Sequence, residues 1–372
     1  MARAILVSET ESLPEADRLE GFPHPRDTER LIGHADAEQA FESALSSDAM
    51  HHAWLITGVA GSGKATFAYR VARAALARPD EKGLFGSGLD VDAHSPTARQ
   101  IAVQAHPGLL VIRRGYDQKA KRFTASIPVD EVRRLKNFLS LSAEEGGRRV
   151  VIVDTADDLN VNAANALLKS LEEPPSRTLF LILSSAPGRL LPTIRSRCRT
   201  LGLSPLSDAH LREATFAALQ AAGKPTPSAS DWANLEAITG GSVRRALALL
   251  EGGGLALQAR VDKLFSDLPR LDMKAAHQLG DEMQGAAQES KFTLFFDLFH
   301  DTLARLIRAE ATGQGRAADR ALAARLIGPA RLATFAELWE TLARDRADAL
   351  ALNLDRKALI LASLTRLEAA SR

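Results

Sequence analysis

The sequence predicts an α/β fold. A P-loop parallel-sheet domain with an N-terminal arm occupies residues 1–205, a three-helix lid residues 206–252, and an all-α C-terminal domain residues 253–372. Three observations predict this. The run Val150 to Val153 is β-branched throughout and stops at Asp154, as a fully buried strand of a parallel sheet does. A second apolar run, AWLIT at Ala53 to Thr57, leads directly into GVAGSGKAT, Gly58 to Thr66, and then into a helical pattern. From Leu255 onward, apolar residues keep helical spacing to the C-terminus.

Composition agrees with two or three domains in 372 residues, with 45% hydrophobic content for their cores. A formal charge of +1 provides no global basic field, which weighs against a free-standing nucleic-acid-binding module. The single cysteine, Cys198, excludes an intramolecular disulfide and a multi-cysteine zinc cage. No apolar signal-like segment opens the chain and no run approaches eighteen apolar residues, so a soluble, cytoplasmic protein without a membrane span is expected.

Taken in order, Met1 to Gly33 reads as an extended arm carrying Pro14, Pro23 and Pro25, with a short strand at Ile5 to Val7. A helix follows over Ala35 to Leu45, with Ala37, Ala40, Phe41 and Ala44 inward. After the strand at Ala53 to Thr57 and the glycine loop, the next helix turns Phe67, Ala68, Val71, Ala75 and Leu76 inward. Pro79 to Pro107 has no clear period and reads mostly as loop. Leu109 to Ile112 is a strand, Arg113 to Arg122 a basic hairpin or loop around Tyr116, and Pro128 to Leu141 a helix capped by Asp130. Beyond the strand ending at Asp154 come a helix from Asn162 to Glu173 stopped by Pro174-Pro175, a buried strand from Leu179 to Leu183, and a short helix over Arg189 to Ser196. Pro205 ends the sheet domain. Helices at Asp208–Ala222, Ser230–Thr239 and Ser242–Glu251 form the lid, the last capped by Ser242. The triplet Gly252 to Gly254 is a hinge, and the helices beyond it break near Pro269, Gly285, Gly313–Gly315 and Gly328-Pro329.

The chemistry begins at the glycine loop. Gly58, Gly61 and Gly63 let backbone N–H groups turn toward a phosphate, the following helix start adds partial positive charge, and Lys64 extends toward the distal phosphates. The P-loop pattern G-x-x-x-x-G-K-[ST] asks for a hydroxyl where this chain has Ala65, so the Mg²⁺ ligand is missing. Thr66, one residue on and about 100° around the helix, is not a simple substitute. The cations of 113–122 are read as a solvated, charge-rich loop, with phosphate contact as the alternative. His94 and His106 stand without ligand company and read as solvated or hydrogen-bonded side chains.

The strings NAANALLKSLEEPP and TIRSRC, following the glycine loop in order, resemble the clamp-loader branch of the AAA+ ATPases, and within it the delta-prime family of bacterial DNA polymerase III. The resemblance covers about Leu31 to Leu250; the remainder adds only a helical pattern of suitable length. It implies an AAA+ sheet domain and lid, and a C-terminal collar by which subunits assemble into a ring. Implied partners are gamma/tau and delta subunits in a hetero-pentamer, with the sliding clamp reached indirectly and primer–template DNA through the assembled complex. Many relatives carry a four-cysteine zinc module in the region 79–107; here its cysteines are absent, and no zinc is expected.

The resemblance also assigns residues. Asp154 matches the carboxylate that holds Mg²⁺ through water, but Thr155 stands where hydrolytic members carry the glutamate that polarises the attacking water. Asp157 and Asp158 are expected to point elsewhere. Ser184 matches the polar residue between that carboxylate and the γ-phosphate; a strand-end turn residue is the plain alternative. Arg244 sits where relatives contact nucleotide from the lid, and a surface helix-start arginine is its alternative. Arg197, in Ser196-Arg197-Cys198, matches the arginine that reaches a neighbour's ATP site, although spacing alone would let Arg195, Arg197 or Arg199 neutralise a helix end. The implied role is an ATPase-deficient stator with a weak or vestigial ATP site. The rival is an active gamma/tau-like ATPase, which would want Ser or Thr at 65 and glutamate at 155. Membership of a polymerase holoenzyme is implied, yet no polymerase site is visible.

Overall fold

The computed structural model describes residues 14–45, 50–82, 88–119, 122–140, 147–251, 253–285, 288–352 and 354–372. The expected strand at Ile5 to Val7, the end of the helix at Leu141 and the first glycine of the hinge lie outside them. The chain divides into two compact units, Met1–Leu247 and Ala248–Arg372.

In the first unit, helix α1 (Ala35–Leu45) precedes strand β1 (Ala53–Thr57), which runs through the glycine loop into α2 (Lys64–Leu76). Helix α3 (Pro96–Ala102), strand β2 (Leu109–Ile112), the short hairpin of β3 (Tyr116–Asp117) and β4 (Arg122–Phe123), and α4 (Val129–Ser140) follow. Then come β5 (Arg149–Val153), α5 (Val161–Glu172), β6 (Thr178–Ser184), α6 (Pro192–Arg195), β7 (Arg199–Gly202), and the helices α7 (Asp208–Ala221), α8 (Ala229–Thr239) and α9 (Val243–Leu250), whose last turn falls in the second unit. The five long strands pair in the order β2-β5-β6-β1-β7, every pair parallel.

Successive side chains of the central strands face opposite apolar layers, as strand geometry requires. Trp54 and Ile56, Val150 and Ile152, and Leu179, Leu181 and Leu183 join the layer built with α1 and α2. Leu55, Val151, Val153, Phe180 and Ile182 join the layer built with α4, α5 and α6. Because both faces are covered, the runs are continuous rather than alternating in polarity.

Five local features differ from the expectations. Helix α3 lies in a stretch expected to be mostly loop: Ser95 Oγ accepts from the Ala98 N–H at 3.1 Å and Pro96 opens the first turn. Strand β7 is an edge strand, paired on one side only, and its R-T-L-G sequence carries almost no apolar signal. Asp130 falls inside the first turn of α4 rather than at its cap, and Ala40 is exposed. The segment 189–196 is divided by proline into a 3₁₀ turn, Pro187–Arg189, and the short α6.

The second unit is helical: α10 (Gly254–Asp267), α11 (Met273–Asp281), α12 (Glu289–Thr312), α13 (Ala317–Leu326), α14 (Gly328–Leu352) and α15 (Arg356–Ser371). Helix α12 packs against α10, α13 and α14, burying Phe292, Phe295, Phe296, Phe299 and Leu303. The final helix buries Ile360, Leu364 and Leu367 against α11 and α14. Among the described residues, no helix is long and apolar enough to cross a membrane.

Candidate functional site: the cavity at the carboxyl ends of β1, β5 and β6

Strands β1, β5 and β6 end together at a cavity of about 740 Å³, walled by the glycine loop, the arm, and lid helices α7 and α9. That volume lies within the range of small-molecule sites. The loop is bent by positive φ at Gly61 (+76°) and Gly63 (+102°), and Gly63 caps α2 in the left-handed conformation. A Cβ at Gly61 would stand 2.5 Å from Arg244 Cβ and from Ser242 Oγ. Glycine there lets the lid touch the loop, and the Val243 N–H donates to Gly61 O at 3.0 Å. Ser242 caps α9 as expected, accepting from the Arg245 N–H at 3.2 Å.

Lys64 is buried and donates from Nζ to Gly58 O (2.9 Å), Val59 O (2.8 Å) and Ser185 Oγ (2.9 Å). Burial lowers its amine to about 8, with Asp154 and Asp157 opposing part of the fall. Ala65 and Thr66 line the cavity just beyond it. Ser62 is buried in the same loop, and its hydroxyl has no hydrogen-bond partner.

Asp154 lies at the foot of the cavity. Burial and the charge of Asp17 raise its carboxyl to about 6 against the pull of Thr155, Lys64 and Arg244. Thr155 Oγ1 donates to Asp154 Oδ1 at 3.1 Å, so the residue after the carboxylate braces it and offers no base.

The end of β6 corrects the sequence reading. Ser184 is fully buried and donates to Asp157 Oδ1 at 2.5 Å, away from the cavity. Asp157 Oδ2 also accepts from the backbone N–H of Ser185 (2.6 Å) and of Ala186 (3.2 Å). The hydroxyl that meets Lys64 is therefore that of Ser185, because strand alternation turns Ser184 the other way. Asp157, which does not line the cavity, organises this strand end. Sequence spacing carried no signal for either role, since both depend on where β5 and β6 finish relative to each other.

The arm is the largest omission of the sequence reading. Helix α2 is buried nearly all round, because the sheet covers one side and the arm the other. Arg73 donates to Arg26 O (2.8 Å) and Thr28 O (2.9 Å), and Arg70 to Glu29 O. Asp17 accepts from Arg113 Nη1 at 2.8 and 2.9 Å and sits 3.0 Å from His24 Nε2. Burial alone would raise Asp17, yet His24 and Arg113 more than offset it and hold the carboxyl at about 2. Arg244 reaches the arm from α9, donating to Asp17 O (3.2 Å) and Arg18 O (3.3 Å), while also lining the cavity. Two cations of the basic stretch are thereby committed: Arg113 to the arm, and Arg114 to Asp158 at 3.0 Å.

Arg197 lies just beyond α6. Its Nη1 donates to Thr193 O at 2.9 Å and its Nη2 is 2.7 Å from Glu172 Oε1. Its neighbours differ: the Arg199 guanidinium covers the Trp54 ring at 4.8 Å, and Arg195 is exposed. His94 is exposed, and His106 Nδ1 accepts from the Gly108 N–H at 3.0 Å. Among the described residues, no group of three or more His, Cys, Asp or Glu side chains could hold a metal ion.

Comparison with known proteins bears on this arrangement. Residues 33–207 match the family described as DNA polymerase III, delta subunit. The chain is 42% identical over 163 residues to DNA polymerase III subunit delta′ of Pseudomonas aeruginosa, covering 43% of this chain and 46% of that protein. It is 26% identical over 247 residues to DNA polymerase III subunit gamma of Buchnera aphidicola subsp. Schizaphis graminum, covering 61% and 58%. The chain thus spans about half the length of the relatives it matches. Among solved structures, a gamma subunit-related protein of Thermotoga maritima is similar at 18% identity and a TM-score of 0.41, covering 91% of this chain and 100% of that one.

Proposed function

We propose that this chain is a delta-prime-type clamp-loader subunit, a cytoplasmic stator that does not hydrolyse ATP and offers Arg197 to a neighbour's ATP site. Its partners would be gamma/tau and delta subunits in a hetero-pentameric ring. That ring would act on a sliding clamp, and primer–template DNA would meet this chain only through the assembly. The observation that carries the reading is the divided state of the cavity. The glycine loop, Lys64 and Arg244 would suit the phosphates of a nucleotide, and the cavity volume suits its base and sugar. The donors for Mg²⁺ do not fit: Ala65 puts a methyl group at the start of α2, and the Thr155 hydroxyl beside Asp154 is already bonded to it. No hydrolytic step follows from these residues.

Arg197 supports the second half of the reading. A guanidinium has five N–H donors, and among the described residues two make contacts, with Thr193 O and Glu172. The rest would be available to charge developing on a neighbour's γ-phosphate.

ATP turnover by the chain alone and in a ring reconstituted with gamma/tau and delta subunits tests this, using wild type and Arg197→Ala. The expected result is silence alone, turnover in the ring, and a loss of about 10³-fold or more with Arg197→Ala. Equal turnover with both forms would overturn the role of Arg197. Turnover by the chain alone would return it to the gamma/tau-like motor class.

A further inference from the structure

Glu172 stands where an α-helix least favours a carboxylate, at the last position of α5, with Glu173 beside it. The macrodipole there prefers a cation, so local preference does not account for this residue. Its tertiary contact does. We propose that Glu172 is a positioning residue that holds the guanidinium of Arg197 ready for a neighbouring subunit's nucleotide phosphate; the inference rests on the stator reading above.

The geometry has three parts. The backbone on both sides of Arg197 is anchored, because Ile194 is buried in the layer beneath α5 and Cys198 packs against the same layer. The guanidinium itself is held at two nitrogens by two different elements: Nη1 by Thr193 O of α6, and Nη2 by Glu172 Oε1 of α5. Two anchors fix the orientation of the planar group, where one would leave it free to swing. Finally, the pair is exposed, at 35% for Arg197 and 47% for Glu172. An ion pair so exposed contributes little to folding stability. What it does supply is order: an arginine already held in place loses less rotamer freedom on meeting its phosphate. Arg195 and Arg199 have no such double hold on carboxylate and carbonyl among the described contacts.

The test is turnover of the reconstituted ring with wild type, Glu172→Gln, Glu172→Asp, Arg197→Ala and the double variant Glu172→Gln/Arg197→Ala, beside melting curves of each chain. Glu172→Gln is expected to lower kcat about three- to tenfold, with KM for ATP and melting temperature unchanged. Glu172→Asp keeps the charge on a shorter arm and is expected to recover part of the rate. On the Arg197→Ala background, Glu172→Gln is expected to add nothing. Full activity of Glu172→Gln while Arg197→Ala is impaired would overturn the positioning role alone. A further loss from Glu172→Gln in the double variant would make Glu172 merely structural and also overturn it. Full activity of Arg197→Ala would remove the stator reading and this inference together.

Discussion

Asp17 and Asp154 are enclosed carboxylates of the same unit, and their surroundings drive them in opposite directions. Asp17 lies in the arm between Arg113, His24 and the Tyr69 hydroxyl, and is held at about 2. Asp154 lies at the foot of the cavity with a threonine hydroxyl for company, and burial leads its rise to about 6. Lys64, one of the cations acting on it, is spent on two carbonyls and on Ser185. The first carboxylate is a structural rivet. The second is kept at a cost, at the foot of the cavity. A paired charge tells us how the arm is fastened; an under-paired one tells us where the chemistry of the fold is concentrated.

That contrast can be broken by substitution, and the largest effect belongs to Asp17. Asp17→Asn leaves the enclosed His24 and Arg113 with Glu15 as their remaining carboxylate and is expected to cost about 3 kcal/mol in a urea titration at neutral pH. A loss below about 1 kcal/mol would mean that Glu15, which also pairs with Arg113 and Arg26, carries the arm.

Asp154→Asn is expected to act with the opposite sign, raising stability by about 1 kcal/mol above pH 6. The sign follows from the direction of each shift. A carboxyl raised to about 6 binds its proton more tightly in the folded chain, so its contribution grows as pH falls from about 6 toward 3.8 and is lost as pH rises through 6. The gain from Asp154→Asn is therefore expected to vanish near pH 4. Asp17, lowered to about 2, stabilises above 3.8 and loses that contribution as pH falls toward 2. Denaturation midpoints at pH 4, 6 and 8 separate the two. Destabilisation by Asp154→Asn at pH 8 would show that attraction to Lys64 outweighs desolvation there.

The smallest effect is expected at Ser62. Its hydroxyl is buried without a partner, so Ser62→Ala is expected to leave stability within about 0.5 kcal/mol or to raise it slightly. A loss above about 1 kcal/mol would mean that the hydroxyl is satisfied in solution.

Much of this molecule was legible in residue order because the relevant physics is local. A β-branched run ending at Asp154, an apolar pentapeptide before a glycine loop, and a Pro-Pro stop after α5 each declare themselves within a dozen residues. The same locality exposed the two departures at Ala65 and Thr155, since each is a residue identity at a defined place in a motif. Helix α3 was missed although its signal, Ser-Pro at the cap, was present in a stretch otherwise poor in apolar period. Strand β7 had no signal to miss: an edge strand with one partner needs little apolar sequence of its own.

Tertiary structure alone decided what depends on elements far apart in the chain. Whether Ser184 or Ser185 faces Lys64 is set by the register of β6 against β1 and by Asp157, 27 residues before Ser184. That the arm encloses α2, and that Asp17 meets Arg113 across 96 residues, cannot be read from either segment, because a charge in sequence does not reveal which charge it will face. Glu172 and Arg197 repeat the lesson. Sequence singled out the arginine through its triplet, and only the packing of α5 against α6 brought a carboxylate to hold it. Motifs are local because they bind backbone geometry to side chain, whereas ion pairs are distant because Coulomb attraction is indifferent to chain order.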